Sequence, residues 1–201
     1  MVVGVVSAAG CRRAEPLSPE AARAKGDELL RAMSQSLSST QSFSYTADER
    51  REVAGAGGTK TERRFTREVA VRRPNALSAS AKGDTRDVQI WYDGKQLTLV
   101  GHKDKIWARG PMPGTIDEAI DFISAEYAIQ LPTADLLYSN PYDALMTPDT
   151  TGGWVDQQQV GGLMCDHLAY SQSVVDWEIW LGPDRHGLPT RRCRPIVAPR
   201  W

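Results

Sequence analysis

Three histidines are the side chains of this chain best suited to acid–base chemistry: His102, His167 and His186. His167 follows Cys165 at a spacing of two in a predicted strand, so both side chains share one face and could serve as base and nucleophile. Side chains at this spacing are about 7 Å apart, too far for a direct hydrogen bond. His102 and His186 fall in predicted turns. A hydrolase that uses His167 is therefore kept as a secondary alternative.

Other catalytic signatures are absent from the sequence. It contains no metal-ligand spacing, no Gly-rich phosphate loop and no Gly-x-Ser-x-Gly nucleophile elbow. The adjacent carboxylates of Asp117 and Glu118 fit the first turn of a helix, where acidic groups stabilise the helix dipole. We therefore expect a non-enzymatic protein without a metal or cofactor.

The N-terminal segment indicates the cellular location of the protein. Residues 1–10 are small, apolar and uncharged, and Cys11 follows them directly. A secretory signal has an apolar region and a small-residue cleavage site after a charged region, which is missing here. The segment from Ala8 to Cys11 resembles a bacterial lipobox, although Ala8 stands where Leu is usual. We expect lipidation at Cys11, a periplasm-facing protein anchored in the membrane, and a true start codon upstream. The alternative is the apolar N-terminus of a cytosolic protein.

Size and charge limit the number of domains and the classes of partner. The chain has 201 residues, 41% of them hydrophobic, with 24 Lys and Arg against 25 Asp and Glu. This composition predicts one domain over residues 18–201, after a signal-like segment (1–10) and a tether (11–17). Arginines cluster between residues 50 and 73, but glutamates alternate with them as in cross-strand charge pairs. We therefore expect no nucleic-acid partner.

The cysteines allow two arrangements. If Cys11 is lipidated, Cys165 and Cys193 remain, and an oxidising compartment would permit a bridge between them. They lie on the first and third of three predicted consecutive strands, about 9–10 Å apart if these pair in order. A disulfide requires Cα atoms within about 7 Å. This geometry favours two buried free thiols.

Hydrophobic periodicity predicts helices that cover an antiparallel sheet. A helix begins after Ser18, and alternating strands follow from residue 43 to residue 109. Two short apolar-faced helices are predicted at residues 115–127 and 132–138, ended by Asn140-Pro141. Three strands close the chain at residues 163–170, 174–181 and 188–197. The two short helices must bury their apolar faces, and the concave side of the sheet is the available surface.

The expected cavity between this sheet and these helices is apolar, and such a cavity suits an apolar ligand. The alternative is that the helices fill it completely, which would leave an interaction or sensor module with an ordinary core. The residues predicted to line it are Phe43, Tyr45, Phe65, Ile90, Tyr92, Leu97, Leu99, Ile120, Ile123, Leu136, Leu137, Trp177 and Ile179.

Several short motifs resemble one family of bacterial envelope proteins. They include Arg73-Pro74-Asn75, Tyr92-Asp93-Gly94-Lys95, Leu131-Pro132-Thr133, Cys165-Asp166-His167 and Asp176-Trp177-Glu178. In this order they resemble the DUF2092 group, which is similar to the LolA/LolB-like superfamily of lipoprotein carriers. The resemblance implies an α+β fold: a strongly curved antiparallel half-barrel, an N-terminal helix and two short helices that plug the concave face. It implies as partners a lipid or lipoprotein acyl chain, or an envelope protein; an anchor at Cys11 would favour a receptor or sensor over a shuttling carrier.

Overall fold

The computed structural model describes residues 17–54, 60–112, 114–127, 133–173 and 175–183. Within these ranges the chain forms two antiparallel sheets and three α-helices. Their order is α1 (Pro19–Ser39), β1 (Ser42–Ala54), β2 (Lys60–Arg72), β3 (Ala76–Gly83), β4 (Asp87–Tyr92), β5 (Gln96–Gly101), β6 (Ile106–Pro111), α2 (Ile116–Tyr127), a 3₁₀ turn η1 (Ala134–Leu136), α3 (Pro141–Leu145), β7 (Thr151–Val160), β8 (Leu163–Ser171) and β9 (Asp176–Leu181).

The first sheet is a six-stranded meander in which each strand pairs with the next one in sequence. Its register aligns Phe43, Val71, Leu77, Tyr92 and Leu97 in one row across five strands. Because side chains alternate between the two faces of a strand, this row defines an apolar face. We call it the inner face, and the opposite one the outer face.

Helix α2 covers part of the inner face. Thr115 begins the helix with a capping box: Glu118 N donates to Thr115 Oγ1 (3.2 Å), and Thr115 N donates to Glu118 Oε2 (2.6 Å). Ile116, Ile120 and Ile123 are at most 4% exposed and pack on the inner face. The spacing of three and four residues thus puts one helical stripe against the sheet, as the sequence predicts.

Helix α1 covers the second sheet, whose strand order is β7-β8-β9. Ser18 caps the helix by accepting a hydrogen bond from Ala21 N (3.2 Å). Leu30 and Met33 are fully buried in a core with the second sheet. The helix approaches β7 closely, since Gly26 and Gly153 face each other: a Cβ on Gly26 would lie 2.9 Å from Gly153 Cα.

The segment between the helices joins the two cores. Leu137 packs in the core under α2, whereas Leu136 and Leu145 pack in the core under α1. The prediction that Asn140-Pro141 ends a helix is wrong. Asn140 instead begins α3, because its side chain accepts a hydrogen bond from Asp143 N and proline suits the first helical position.

Arg73 fixes this segment to the β2–β3 turn. Its guanidinium donates to Leu137 O (3.0 Å), Tyr138 O (2.9 Å) and Leu37 O (3.4 Å), at the ends of η1 and α1. It also lies 5.7 Å from the ring centre of Phe43. Burial lowers the pKa of Arg73, and the nearby Asp117 carboxylate opposes that effect.

These observations confirm the α+β class, the N-terminal helix and antiparallel sheets. The described strands form two sheets and no closed barrel. A continuous LolA-like half-barrel stays a prediction, and the predicted strand at residues 188–197 lies outside the described residues.

Candidate functional site

More than half of the residues predicted to line a cavity belong to the core beneath α2. Ile120 and Ile123 are each 4% exposed and Tyr92 is 3% exposed, so no ligand-sized space remains around them. The members of this group are Phe43, Tyr45, Tyr92, Leu97, Ile120, Ile123 and Leu137. The space directly under the helix is therefore filled.

Three other predicted residues lie in the second core: Leu136, Trp177 and Ile179. Trp177 is stacked on Tyr170, with ring centroids 4.4 Å apart, and Ile179 is 1% exposed. The sequence prediction that they share one cavity with the first group is not supported by this arrangement. The described strands form two sheets, each with its own helix and its own core.

The last three predicted residues, Phe65, Ile90 and Leu99, are half-buried and lie outside both cores. Ile90 pairs with Leu99 across β4 and β5, on the inner face beyond the row that α2 covers. Val88, also half-buried, and Ile106, 56% exposed, extend this apolar area. We call Val88, Ile90, Leu99 and Ile106 the uncovered strip.

The outer face carries a groove of about 680 Å³ that sequence reasoning did not anticipate. One row across the sheet forms its floor: Ser44, Ala70, Ser78, Trp91 and Thr98. Trp91 is 39% exposed, and small side chains surround it. The sequence contains a pattern that could have indicated this groove. Small or hydroxylated residues alternate with apolar ones in β1 to β5, and Trp91 lies among them.

Most polar groups of this outer groove make no bonds within the protein. Among the described residues, the side chains of Arg72, Ser78, Trp91 and Thr98 have no hydrogen-bond or ion-pair partner. Asp93 differs, since its Oδ1 accepts hydrogen bonds from the two backbone N–H groups of the β4–β5 turn. These bonds lower the pKa of Asp93. The groove therefore offers unused donors and acceptors to a ligand.

His167 lies on the second sheet, on the face turned away from α1. Its ring nitrogens are 3.1 Å from Asp156 Oδ1 and 3.2 Å from Glu178 Oε2, and its ring stacks on Trp180 with centroids 4.5 Å apart. The ring is thus held between carboxylates on the two neighbouring strands. A hydrogen-bonded network of this kind stabilises strand pairing.

The prediction of free thiols is wrong for Cys165, which is disulfide-bonded. The prediction assumed that Cys193 is free and lies two strand spacings away, on a strand that falls outside the described residues. The partner is outside the described residues, where the sequence has Cys11 and Cys193. A disulfide sulfur has no thiolate to attack a substrate, so Cys165 and His167 do not form a nucleophile–base pair.

The remaining chemical candidates are dispersed. His102 is exposed and its Nε2 lies 3.4 Å from Gln89 Oε1, while His186 and Cys11 lie outside the described residues. Across the described ranges, no group of three or more His, Cys, Asp or Glu residues could hold a metal ion. No helix in these ranges is both long and apolar enough to cross a membrane.

The half-buried Tyr45 is a titratable group at the edge of the inner face. Burial raises the pKa of Tyr45 to about 12, although Thr133 and Arg67 act in the opposite direction. The hydroxyl of Tyr45 is 3.1 Å from Thr133 Oγ1. This contact attaches the start of η1 to the sheet, which gives Tyr45 a structural role.

The described residues place the protein in the α+β class, with helices that cover one face of each antiparallel sheet. Residues 26–194 match the DUF2092 family, described as predicted periplasmic proteins, and the chain belongs to that family. A disulfide suits that oxidising compartment.

Among solved structures, a DUF1329 family protein from Desulfovibrio piger is similar, with 14% identity, 81% of this chain and 69% of that chain covered, and a TM-score of 0.31. No curated protein matches the chain.

Proposed function

We propose that this periplasmic protein is a non-enzymatic binding protein for an apolar chain, such as a lipid or a lipoprotein acyl chain. The ligand would lie on the inner face beside α2 rather than beneath it. The observation that carries this proposal is the uncovered strip: the apolar pattern of the inner face continues past the area that α2 buries.

Burial along the inner face supports this placement. Under α2, Val71, Leu77 and Tyr92 are at most 7% exposed, but Ile106 at the far end of the face is 56% exposed. Covering aliphatic side chains with a methylene chain contributes about 0.8 kcal/mol per buried CH₂ group. Eight methylenes on the uncovered strip would thus stabilise a complex by roughly 6 kcal/mol before the entropic cost of binding.

The membrane anchor and the half-barrel belong to the same proposal. Lipidation at Cys11 would hold the domain near a membrane surface, where acyl chains are presented. It requires Cys193 to be the disulfide partner of Cys165, because a lipidated thioether cannot form a disulfide. The two sheets would then be parts of a LolA-like half-barrel whose open side accepts the ligand. Mass spectrometry of the membrane fraction tests the anchor, since an unlipidated N-terminus on the mature chain would contradict it.

Binding is tested by titrating delipidated protein with a fluorescent fatty acid. Wild-type protein should bind saturably, and Leu99→Gln should weaken binding about tenfold, because it places an amide in the strip and removes apolar contact. Val100→Gln is the matched control: Val100 is the next residue of β5, half-buried on the outer face, and its substitution should leave affinity unchanged. Equal affinity of Leu99→Gln and wild type, or no saturable binding at all, would overturn the proposal.

A second candidate is an envelope interaction or sensor module. The filled core under α2 favours it, since Ile116 is 0% and Ala119 2% exposed. This candidate predicts that native membranes yield an envelope protein bound to the chain, with no lipid in native mass spectrometry. The lipid-binding proposal predicts a bound lipid in the same experiment.

A further inference from the structure

The outer groove combines an aromatic wall with hydroxyl-bearing neighbours. Trp91 pairs with Ser78 on one side and with Thr98 on the other, so the indole stands above two short side chains. Neighbouring strands lie about 4.8 Å apart, which gives each side of the indole room for one flat ring. The groove is open to solvent, and its volume of about 680 Å³ is within the range of small-molecule clefts.

The lining indicates which ligand chemistry fits. A purely apolar ligand would cover the hydroxyls of Ser78 and Thr98 without giving them partners, which is costly. A pyranose ring suits both the indole and the hydroxyls of the groove. Its C–H face packs on the negative π face of an indole, and its rim of hydroxyls both donates and accepts hydrogen bonds. Ser44 and Gln96 add further groups of this kind to the lining.

Arg72 adds a charge preference. It lies on the outer face two strands from Trp91, and in the described part of the chain its guanidinium has no hydrogen-bond or ion-pair partner. Strand spacing places the two Cα atoms about 12 Å apart, so the long side chains can reach opposite ends of one sugar. A planar guanidinium pairs with a carboxylate through two parallel hydrogen bonds. Asp93, the acidic residue of the lining, is already bonded to its own turn.

We propose that the outer groove binds an acidic oligosaccharide, with one pyranose stacked on Trp91 and its carboxylate paired with Arg72. The site is separate from the uncovered strip, because the two lie on opposite faces of the same sheet. One protein would thus hold an apolar chain on one side and a glycan on the other.

Isothermal titration calorimetry with trigalacturonic acid tests this inference, and neutral maltotriose serves as the comparison ligand. Wild-type protein should bind trigalacturonic acid saturably and maltotriose more weakly. Trp91→Ala should weaken trigalacturonate binding roughly fivefold or more through lost stacking. Arg72→Gln should weaken it about tenfold through the lost charged pair and reduce the preference over maltotriose.

Matched control variants keep the test specific. Trp107→Ala removes a tryptophan that is 72% exposed outside the groove, and Arg86→Gln removes an exposed arginine from the β3–β4 turn. Both should bind like wild type, as should Leu99→Gln on the inner face. The inference is overturned if trigalacturonate does not bind, if Trp91→Ala binds as wild type does, or if Arg72→Gln leaves the preference unchanged. Each result is independent of the fatty-acid titration.

Discussion

Cys165 and His167 show how an environment decides the chemistry of a residue. They share one face of β8, as their spacing predicts, yet one is disulfide-bonded and the other lies between the carboxylates of Asp156 and Glu178. Spacing along a strand fixes the face of a side chain but not its bonding partners. A nucleophile–base pair is therefore excluded here by the partner of each residue rather than by its position.

Tyr170 carries a hydroxyl without a hydrogen-bond partner among the described residues. Burial raises the pKa of Tyr170, since the phenolate would be less well solvated there. Removing a buried hydroxyl that has no partner should leave the protein equally stable or make it more stable. Tyr170→Phe should therefore change the free energy of unfolding by about 0 to +1 kcal/mol. Urea denaturation measures this change.

Tyr92→Phe is the matched control, because the Tyr92 hydroxyl donates a hydrogen bond to Gly114 O (2.7 Å). This variant should lose about 1 kcal/mol of stability, as is typical for one hydrogen bond. A loss at Tyr170→Phe as large as that at Tyr92→Phe would show that the Tyr170 hydroxyl has a partner.

At the scale of elements, the helices have different effects on the two sheets. Helix α2 covers only part of the inner face and leaves the uncovered strip, whereas α1 approaches the second sheet closely enough to require Gly26 and Gly153. The first contact leaves apolar surface beside the helix, where Ile106 is exposed. The second contact holds the helix rigidly against its sheet.

The α1–β7 contact predicts a large effect at Gly153. A Cβ there would lie 2.5 Å from Ala22 O and 2.8 Å from Arg23 Cα, and neither backbone can move without shifting the helix. Gly153→Ala should therefore destabilise the protein by about 1–3 kcal/mol in chemical denaturation. Gly110→Ala is the control, because nothing lies within 4 Å of its added Cβ. Equal midpoints for the two variants would contradict the close contact.

At the scale of the molecule, the described residues are organised as two sheets with one core each, connected by residues 133–146 and by the hydrogen bonds of Arg73. In the described part of the chain, a helix packs on one face of each sheet. The first sheet uses its outer face for the groove, and the second for the network around His167. The two ligand surfaces that we propose would lie on opposite faces of the first sheet.

The disulfide at Cys165 acts at this scale, because a crosslink restricts the unfolded chain. Reduction should lower the free energy of unfolding by about 2–4 kcal/mol. Urea denaturation with and without a phosphine reductant measures the difference. The variant Cys165→Ala should be insensitive to the reductant, which separates the bridge from general effects of reduction. An unchanged wild-type midpoint would show that the crosslink contributes no stability.

The sequence by itself determined the local elements and their apolar faces. Ser18 and Thr115 begin helices, and period-two alternation places Tyr92 and Ile179 on buried sheet faces, because caps and periodicity act over a few residues. It also determined the family through its motifs.

Only the tertiary structure decided which buried faces meet. Trp177 and Tyr92 share a pattern yet lie in different cores, and the groove at Trp91 arises from five strands that bring small side chains into one row. The physical reason is that periodicity records whether a side chain is inward or outward, whereas its neighbours across the sheet depend on strand register and helix placement between distant segments.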